Sequence, residues 1–157
     1  TLIICNSFIE RRFKWNNGNI ISIDISNKKT GKVIPIKNGK KPDFRISGLK
    51  AKVNKNNYSV KIVDATPIVP SYLSTEIITA YEGLEVKRVF KIFPSSMGIS
   101  CEYYLKQTNN DLTINPKSIE IENLTVSSAH WEMEAIEFFD KTDQNNNLVK
   151  KRKIICG

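Results

Sequence analysis

Two close pairs of carboxylates, Glu120 with Glu122 and Glu132 with Glu134, carry the residue type that glycosidic hydrolysis needs. That reaction sets two carboxyl groups roughly 5 to 10 Å apart across a sugar. A spacing of two along a strand puts both members of a pair on one face. Their neighbours Ile119 and Ile121, or Trp131, Met133 and Ala135, explain the same pattern as an apolar face turned inward and an acidic face turned to water, so no catalytic residue is expected here. The chain has one histidine, His130, too few for a histidine-based metal cluster, and no paired cysteines stand beside it. A triad would have to join His130 to Ser127, Ser128 or a cysteine, and no GxSxG elbow frames any of them. Asp143 to Asn147 begins like a calcium loop, but Leu148 stands where that loop needs glycine and Ile154 where it needs glutamate. A turn is expected there, and neither a metal nor another cofactor. Aromatic rings are the remaining candidates, since their faces stack on sugars or bases. Trp15, Tyr58, Tyr72, Tyr81, Tyr103 and Trp131 qualify by type. Alternation with polar residues makes core packing the expectation for Trp15, Tyr103 and Trp131, while Tyr72, in a proline-rich crossover, is expected to be exposed. Tyr72, Tyr81 and Trp15 are the candidate carbohydrate-binding residues.

Such residues would have to be positioned by strands. Period-two alternation recurs along the chain and no long stretch holds a 3.6-residue period. After the segment Phe8 to Trp15, Asn16-Asn17-Gly18-Asn19 supplies a tight turn, and Ile20 to Ser26 returns with Ile21, Ile23 and Ile25 predicted on one buried face. Further strands are predicted over Lys32–Ile36, Asp43–Ser47, Tyr58–Asp64, Ser74–Tyr81, Leu84–Phe93, Gly98–Lys106, Ser118–Asn123, His130–Phe139 and Leu148–Cys156. The long segment from Gly83 to Lys106 reads as a hairpin around Pro94-Ser95-Ser96-Met97-Gly98. Pro67 and Pro70 confine Ile68 and Val69 to an edge or crossover, because proline cannot donate to a ladder. Strands at roughly ten-residue intervals with turn residues between them predict an all-β class, an antiparallel β-sandwich, and residues 1–157 as a single domain. The last strand runs to the end of the chain, which reads as a boundary cut within or just after a sheet of a longer protein.

Composition narrows the function classes. At 157 residues the chain suffices for one domain with a real core, and no apolar run approaches the roughly 18 residues that would span a bilayer, so no membrane partner is expected. The net charge of +8 invites a nucleic-acid or anionic-glycan partner. Lysines fall in scattered turns such as Lys28-Lys29, Lys40-Lys41 and Lys50-Ala51-Lys52, which discourages sheet aggregation and does not promise a continuous phosphate track. No nucleic-acid partner is therefore expected. Cys5, Cys101 and Cys156 have no CxxC spacing and an odd count, and buried free thiols are expected.

The opening Asn6-Ser7-Phe8-Ile9-Glu10-Arg11-Arg12-Phe13, with Trp15, Gly18 and the Lys29-Thr30-Gly31 turn, resembles the N-terminal sequence of α-galactosidase-like glycoside hydrolases, the family 36 and clan D group. Val86 to Pro94 leading to Cys101-Glu102-Tyr103-Tyr104-Leu105 resembles that domain's central hairpin, and Glu137 to Asp143 with Asn145 to Val149 resembles a following strand and turn. The resemblance implies an N-terminal supersandwich of galactose mutarotase-like type, packed on a (β/α)-barrel of the same polypeptide that carries two catalytic aspartates. A barrel needs at least ~200 residues, so the chain cannot hold one beside a sandwich. No site residue carries over. The expected function is thus a non-catalytic domain of a bacterial glycoside hydrolase that braces the barrel and shapes substrate access or homo-oligomer contacts, in a periplasmic or cell-surface protein. The alternative is a carbohydrate-binding module that grips glycan by stacking. A mutarotase-like enzyme would need a histidine and a glutamate over an open sheet, and only His130 is on offer.

Overall fold

The computed structural model describes the chain except at residues 17, 53–57, 110–111, 127–130, 139–148 and 157, and over 131–138 and 149–156 it describes the backbone alone. The fold is all-β and antiparallel, and the chain divides into two compact units, Thr1–Val126 and Ser127–Gly157. The second unit contains a hairpin of β11 (Trp131–Phe138) and β12 (Val149–Cys156), in register from Trp131 opposite Cys156 to Phe138 opposite Val149. His130, Ser127, Ser128, the 143–147 turn and the side chains of Trp131, Glu132, Glu134 and Cys156 lie outside the described residues.

In the first unit, β1 (Leu2–Cys5), β2 (Ile9–Asn16), β3 (Asn19–Asn27) and β4 (Val33–Pro35) form one sheet in that order. A second sheet runs β6 (Tyr58–Val63), β7 (Tyr72–Tyr81), β8 (Leu84–Ile92) and β9 (Ile99–Gln107). A short ribbon pairs β5 (Arg45–Ile46) with β10 (Ile119–Glu120). Leu2 to Cys5, which lie in none of the strands predicted from sequence, pair with β2 as an edge strand. In that register Leu2 and Ile4 oppose Phe13 and Arg11 on the inner face, so Cys5, opposite Glu10, is exposed and not buried as expected.

The two sheets face each other across an apolar cluster. Ile4, Phe13 and Ile20 from the first meet Ile77, Phe90 and Ile92 from the second, with the Phe13 and Phe90 ring centroids 5.4 Å apart. Burying side chains of this size contributes about 1.5 to 3 kcal/mol each. A second cluster gathers Phe44 and Ile46 against Tyr81, Leu84 and Val86 at the other end of the second sheet. The alternation of β8 carries Phe90 into the first cluster and Val86 into the second, and Arg88 falls between them, fully buried. That intermediate level is polar: Arg88, Asn19, Thr79, Arg11, Ser22 and Asp43 are all buried there.

A bulge splits the predicted face of β3, although Ile21 is buried as expected, 2% exposed. Arg12 opposes Asp24 while Phe13 opposes Ser22, which leaves Ile23 without a partner on β2 and partly exposed. The extra residue exchanges faces on either side of it. Ile20 and Ser22 therefore share the inner face with Ile25, and the alternation Ile21, Ile23, Ile25 does not mark one face.

Gly83 closes the β7–β8 turn at φ +74, and a Cβ built there would stand 3.2 Å from Asn109 Cβ and 3.3 Å from Leu112 Cδ2. Gly31, at φ +70, would meet nothing within 4 Å. Both glycines escape the left-handed penalty of about 1 to 2 kcal/mol, but only Gly83 also escapes a clash. Gly83→Ala should consequently lower the urea midpoint clearly more than Gly31→Ala, and equal losses would show that the crowding is relieved at no cost.

Candidate functional site

The outer face of the second sheet is where chemistry-bearing side chains gather. Cross-strand pairing lays them out in rows: Lys61, Ser74 and Lys91 in one, Glu76, Val89 and Glu102 in the next, then Ile78, Lys87 and Tyr104. Tyr72 opens β7 at one end of this face, opposite Val63. Six residues separate the Tyr72 and Tyr104 levels, which at the rise of an antiparallel strand is roughly 20 Å along the sheet. Between them runs a shallow groove of ≈ 270 Å³ whose walls include Lys61, Glu76, Lys87, Lys91 and Glu102.

The electrostatics of the groove are those of paired surface charges. Lys91 forms an ion pair with Glu102, which also accepts a hydrogen bond from the Tyr104 hydroxyl at 2.8 Å. Lys61 lies 3.3 Å from Glu76. Donation from Lys91, and then from Tyr104, holds the Glu102 carboxyl below the usual carboxylate range. The same contact raises the Lys91 ammonium, and the bond to Glu102 raises the Tyr104 phenol. Lys87 Nζ rests 5.0 Å from the centroid of the Tyr104 ring, and Lys91 Nζ 5.7 Å from that of Tyr72. Glu76 and Glu102 stand two strands apart in one row, about 10 Å between backbones, which suits a glycosidase pair in spacing alone. A general acid needs a raised pKa, and Glu102 is shifted the other way. In chemical terms the face presents carboxylates that accept, ammoniums that donate and a half-exposed ring with an open platform.

The three sequence-predicted aromatics do not converge. Tyr72 borders the groove, half-buried, its ring tilted on Phe93 at 5.1 Å. Tyr81 is only 4% exposed and belongs to the second core cluster, so it cannot present a face to a sugar. Its hydroxyl accepts from Asn19 Nδ2 at 3.1 Å beside a separate pocket of ≈ 360 Å³ that includes Arg45, Lys50 and Glu120, and burial raises its phenol pKa. Trp15 packs its partly buried ring on the first cluster, 6.0 Å from Tyr58. The residue that sequence reading passed over is Tyr104, which is 51% exposed. Its signal lay in register: in Cys101-Glu102-Tyr103-Tyr104 the inward tyrosine is the one opposite buried Arg88, so its neighbour must face out.

The acidic pair Glu120 and Glu122 also separates. β10 ends at Glu120, which pairs with Arg45 and accepts from Asn123. Glu122 has φ +48 and turns inward, where its carboxylate accepts from Arg11 Nη2 at 2.5 Å and from the Tyr103 hydroxyl. The left-handed backbone breaks the strand alternation that would have placed both on one face. Cys101, nearby on β9, has its thiol pushed up to about 12, chiefly by burial, which keeps it an unreactive thiol at neutral pH. Among the described residues no group of three or more His, Cys, Asp or Glu side chains could hold a metal ion.

Compared with known proteins, the chain matches no family model, no curated protein and no solved structure.

A folded-state pKa held below its unfolded value contributes stability that is present above the unfolded value and lost as pH falls through the folded one. A carbon-detected NMR titration should accordingly place the Glu102 midpoint below that of an unperturbed glutamate, and Lys91→Gln should move it upward. An unchanged midpoint in the variant would remove Lys91 as the cause.

Proposed function

We propose that the chain is a non-catalytic β-sandwich domain of a bacterial, α-galactosidase-like glycoside hydrolase, and that it braces a neighbouring (β/α)-barrel. The observation that carries this reading is a mainly apolar cleft of ≈ 580 Å³ between the β1–β2 connection and β6, with Cys5, Ile62, Leu73, Ile92 and Pro94 among its walls. Tyr58, Val60 and Ile62 occupy the core-side register of β6, opposite Ile77, Thr75 and Leu73, yet Ile62 is 77% exposed. Ile68, in the crossover that follows, is 91% exposed. An apolar cleft with an exposed isoleucine in its wall is the kind of surface that marks interaction sites, and the β1 and β6 edges beside it have no further strand partner among the described residues. The sequence resemblance supplies the identity of that neighbour, and the supersandwich topology belongs to the proposal.

A second reading, a carbohydrate-binding module, is favoured by a different observation: the groove with Tyr72 and Tyr104 at its ends and alternating lysines and glutamates between. The groove and the apolar cleft share Tyr72 as a wall and are otherwise lined by different residues, so the two functions are compatible in one domain.

Within the full-length parent enzyme, Ile62→Asp should speed proteolytic separation of the sandwich from the barrel and lower hydrolase activity. In the isolated chain the same exposed substitution should shift stability by no more than about 0.5 kcal/mol. A parent enzyme that is indifferent to it would overturn the bracing role.

A further inference from the structure

We propose that the outer groove of the second sheet binds an acidic oligosaccharide, with Lys87 as the residue that recognises the sugar's anionic group. The proposal rests on the carbohydrate-binding reading and specifies its ligand class. Three lysines and two glutamates line the groove. Lys61 and Lys91 are each engaged by a carboxylate, Glu76 and Glu102 respectively. Lys87 has no carboxylate partner among the described residues and meets only the Tyr104 ring, at 5.0 Å. Register explains why: Lys87 lies directly opposite Tyr104, with Ile78 on its other side, and the next acid along β9, Glu102, is already held by Lys91 and by the Tyr104 hydroxyl. An ammonium has three donors, and a ring contact occupies one side of it. Lys87 thus lines the groove beside an exposed ring, with no ion pair of its own among the described residues. A sugar stacked on Tyr104 would bring a ring substituent to that ammonium, and a carboxylate or sulfate there gains a charge-assisted hydrogen bond that a hydroxyl does not.

The glutamates decide against a nucleic acid. A phosphate chain presents a charge at every unit and would meet Glu76 and Glu102 along the same groove, whereas an oligosaccharide can offer hydroxyls to the glutamates and its sparser acid groups to the lysines. The overall charge of +8 raises the encounter rate with any polyanion, so affinity alone does not discriminate, and the variant must.

The test is calorimetric titration of the whole 157-residue chain and of Lys87→Gln with four probes: a short oligogalacturonate, a sulfated galactan oligomer, a neutral galactan oligomer and a single-stranded DNA of matching length. Equal thermal midpoints of the two proteins establish that the variant is folded. Saturable binding of the uronate or the sulfated oligomer, at least about tenfold weaker in Lys87→Gln while weak neutral-oligomer binding is unchanged, is the expected result. The two acidic arms then say whether carboxylate or sulfate is preferred. Binding of the neutral oligomer as tight as that of the acidic ones, or no effect of Lys87→Gln, overturns the acidic assignment and leaves the glycan-binding face standing. No saccharide binding, or a preference for DNA over every saccharide, overturns both.

Discussion

The buried pair of Arg11 and Asp43 is the constraint on which the rest of the first unit depends. Asp43 is fully buried, and its carboxylate accepts from the Ser22 amide at 2.9 Å, the Ser22 hydroxyl at 2.8 Å and Arg11 Nη2 at 3.2 Å. Arg11 reaches on to Glu122, which Tyr103 of the second sheet also grips. Asn38 closes the far side, donating to the Asn123 carbonyl and accepting from the Thr125 amide at 2.6 Å. One polar cluster thus ties β2 and β3 to β9 and to the two loops around residues 38 and 123. Taking such charges out of water costs several kcal/mol per ion, and the pairing offsets this only when every partner is in place. The guanidinium of Arg11 also lies 4.8 Å from the Phe13 ring centroid, so its position is fixed by the apolar cluster as well as by its acids.

Arg88 shows the limit of that arrangement. Its Nη2 donates to Asn19 Oδ1 at 2.6 Å and to Thr79 Oγ1 at 3.1 Å, but Nε and Nη1 find no partner among the described residues. Burial draws the guanidinium pKa down from its ordinary value, without removing the charge of a group that stays protonated in proteins. A buried donor without a partner costs about 1 to 3 kcal/mol, which offsets what the bonds to Asn19 and Thr79 contribute. It separates the two apolar clusters and fixes the level at which Asn19 and Tyr81 meet. The outer face of the second sheet, by contrast, carries its lysines and glutamates as surface ion pairs, Lys61 with Glu76 and Lys91 with Glu102.

The class and nearly every strand were legible because alternation is a local signal, and the turns at Gly18, Gly83 and Gly98 punctuate it. What escaped was non-local. The β3 bulge cannot be read from Ile20 to Ser26 alone, since it exists only in the pairing with β2. Tyr81 and Tyr104 have similar local patterns, and only the register of β7, β8 and β9 sends one inward and the other out. Arg11 and Arg88 look like solvated strand charges in sequence; their burial depends on partners such as Asp43, 32 positions from Arg11, and Asn19, 69 positions from Arg88. Glu122 reads as the second member of a surface pair until its backbone turns left-handed. The candidate binding face was accordingly half visible, through Tyr72, with its charged rows supplied by pairing.

A double-mutant cycle on Arg11 and Asp43, read by urea unfolding, tests most directly whether this ion pair governs the fold. Arg11→Met should cost about 3 to 5 kcal/mol, because it leaves the Asp43 charge buried without its cation, and Asp43→Ala about as much, because it strips the Ser22 amide and hydroxyl of their acceptor and leaves Arg11 only Glu122. The double variant should lose well under the sum, with a coupling of about 2 kcal/mol or more. Losses that add to within about 0.5 kcal/mol would contradict the account, and would place the stability of the sandwich in its apolar clusters alone.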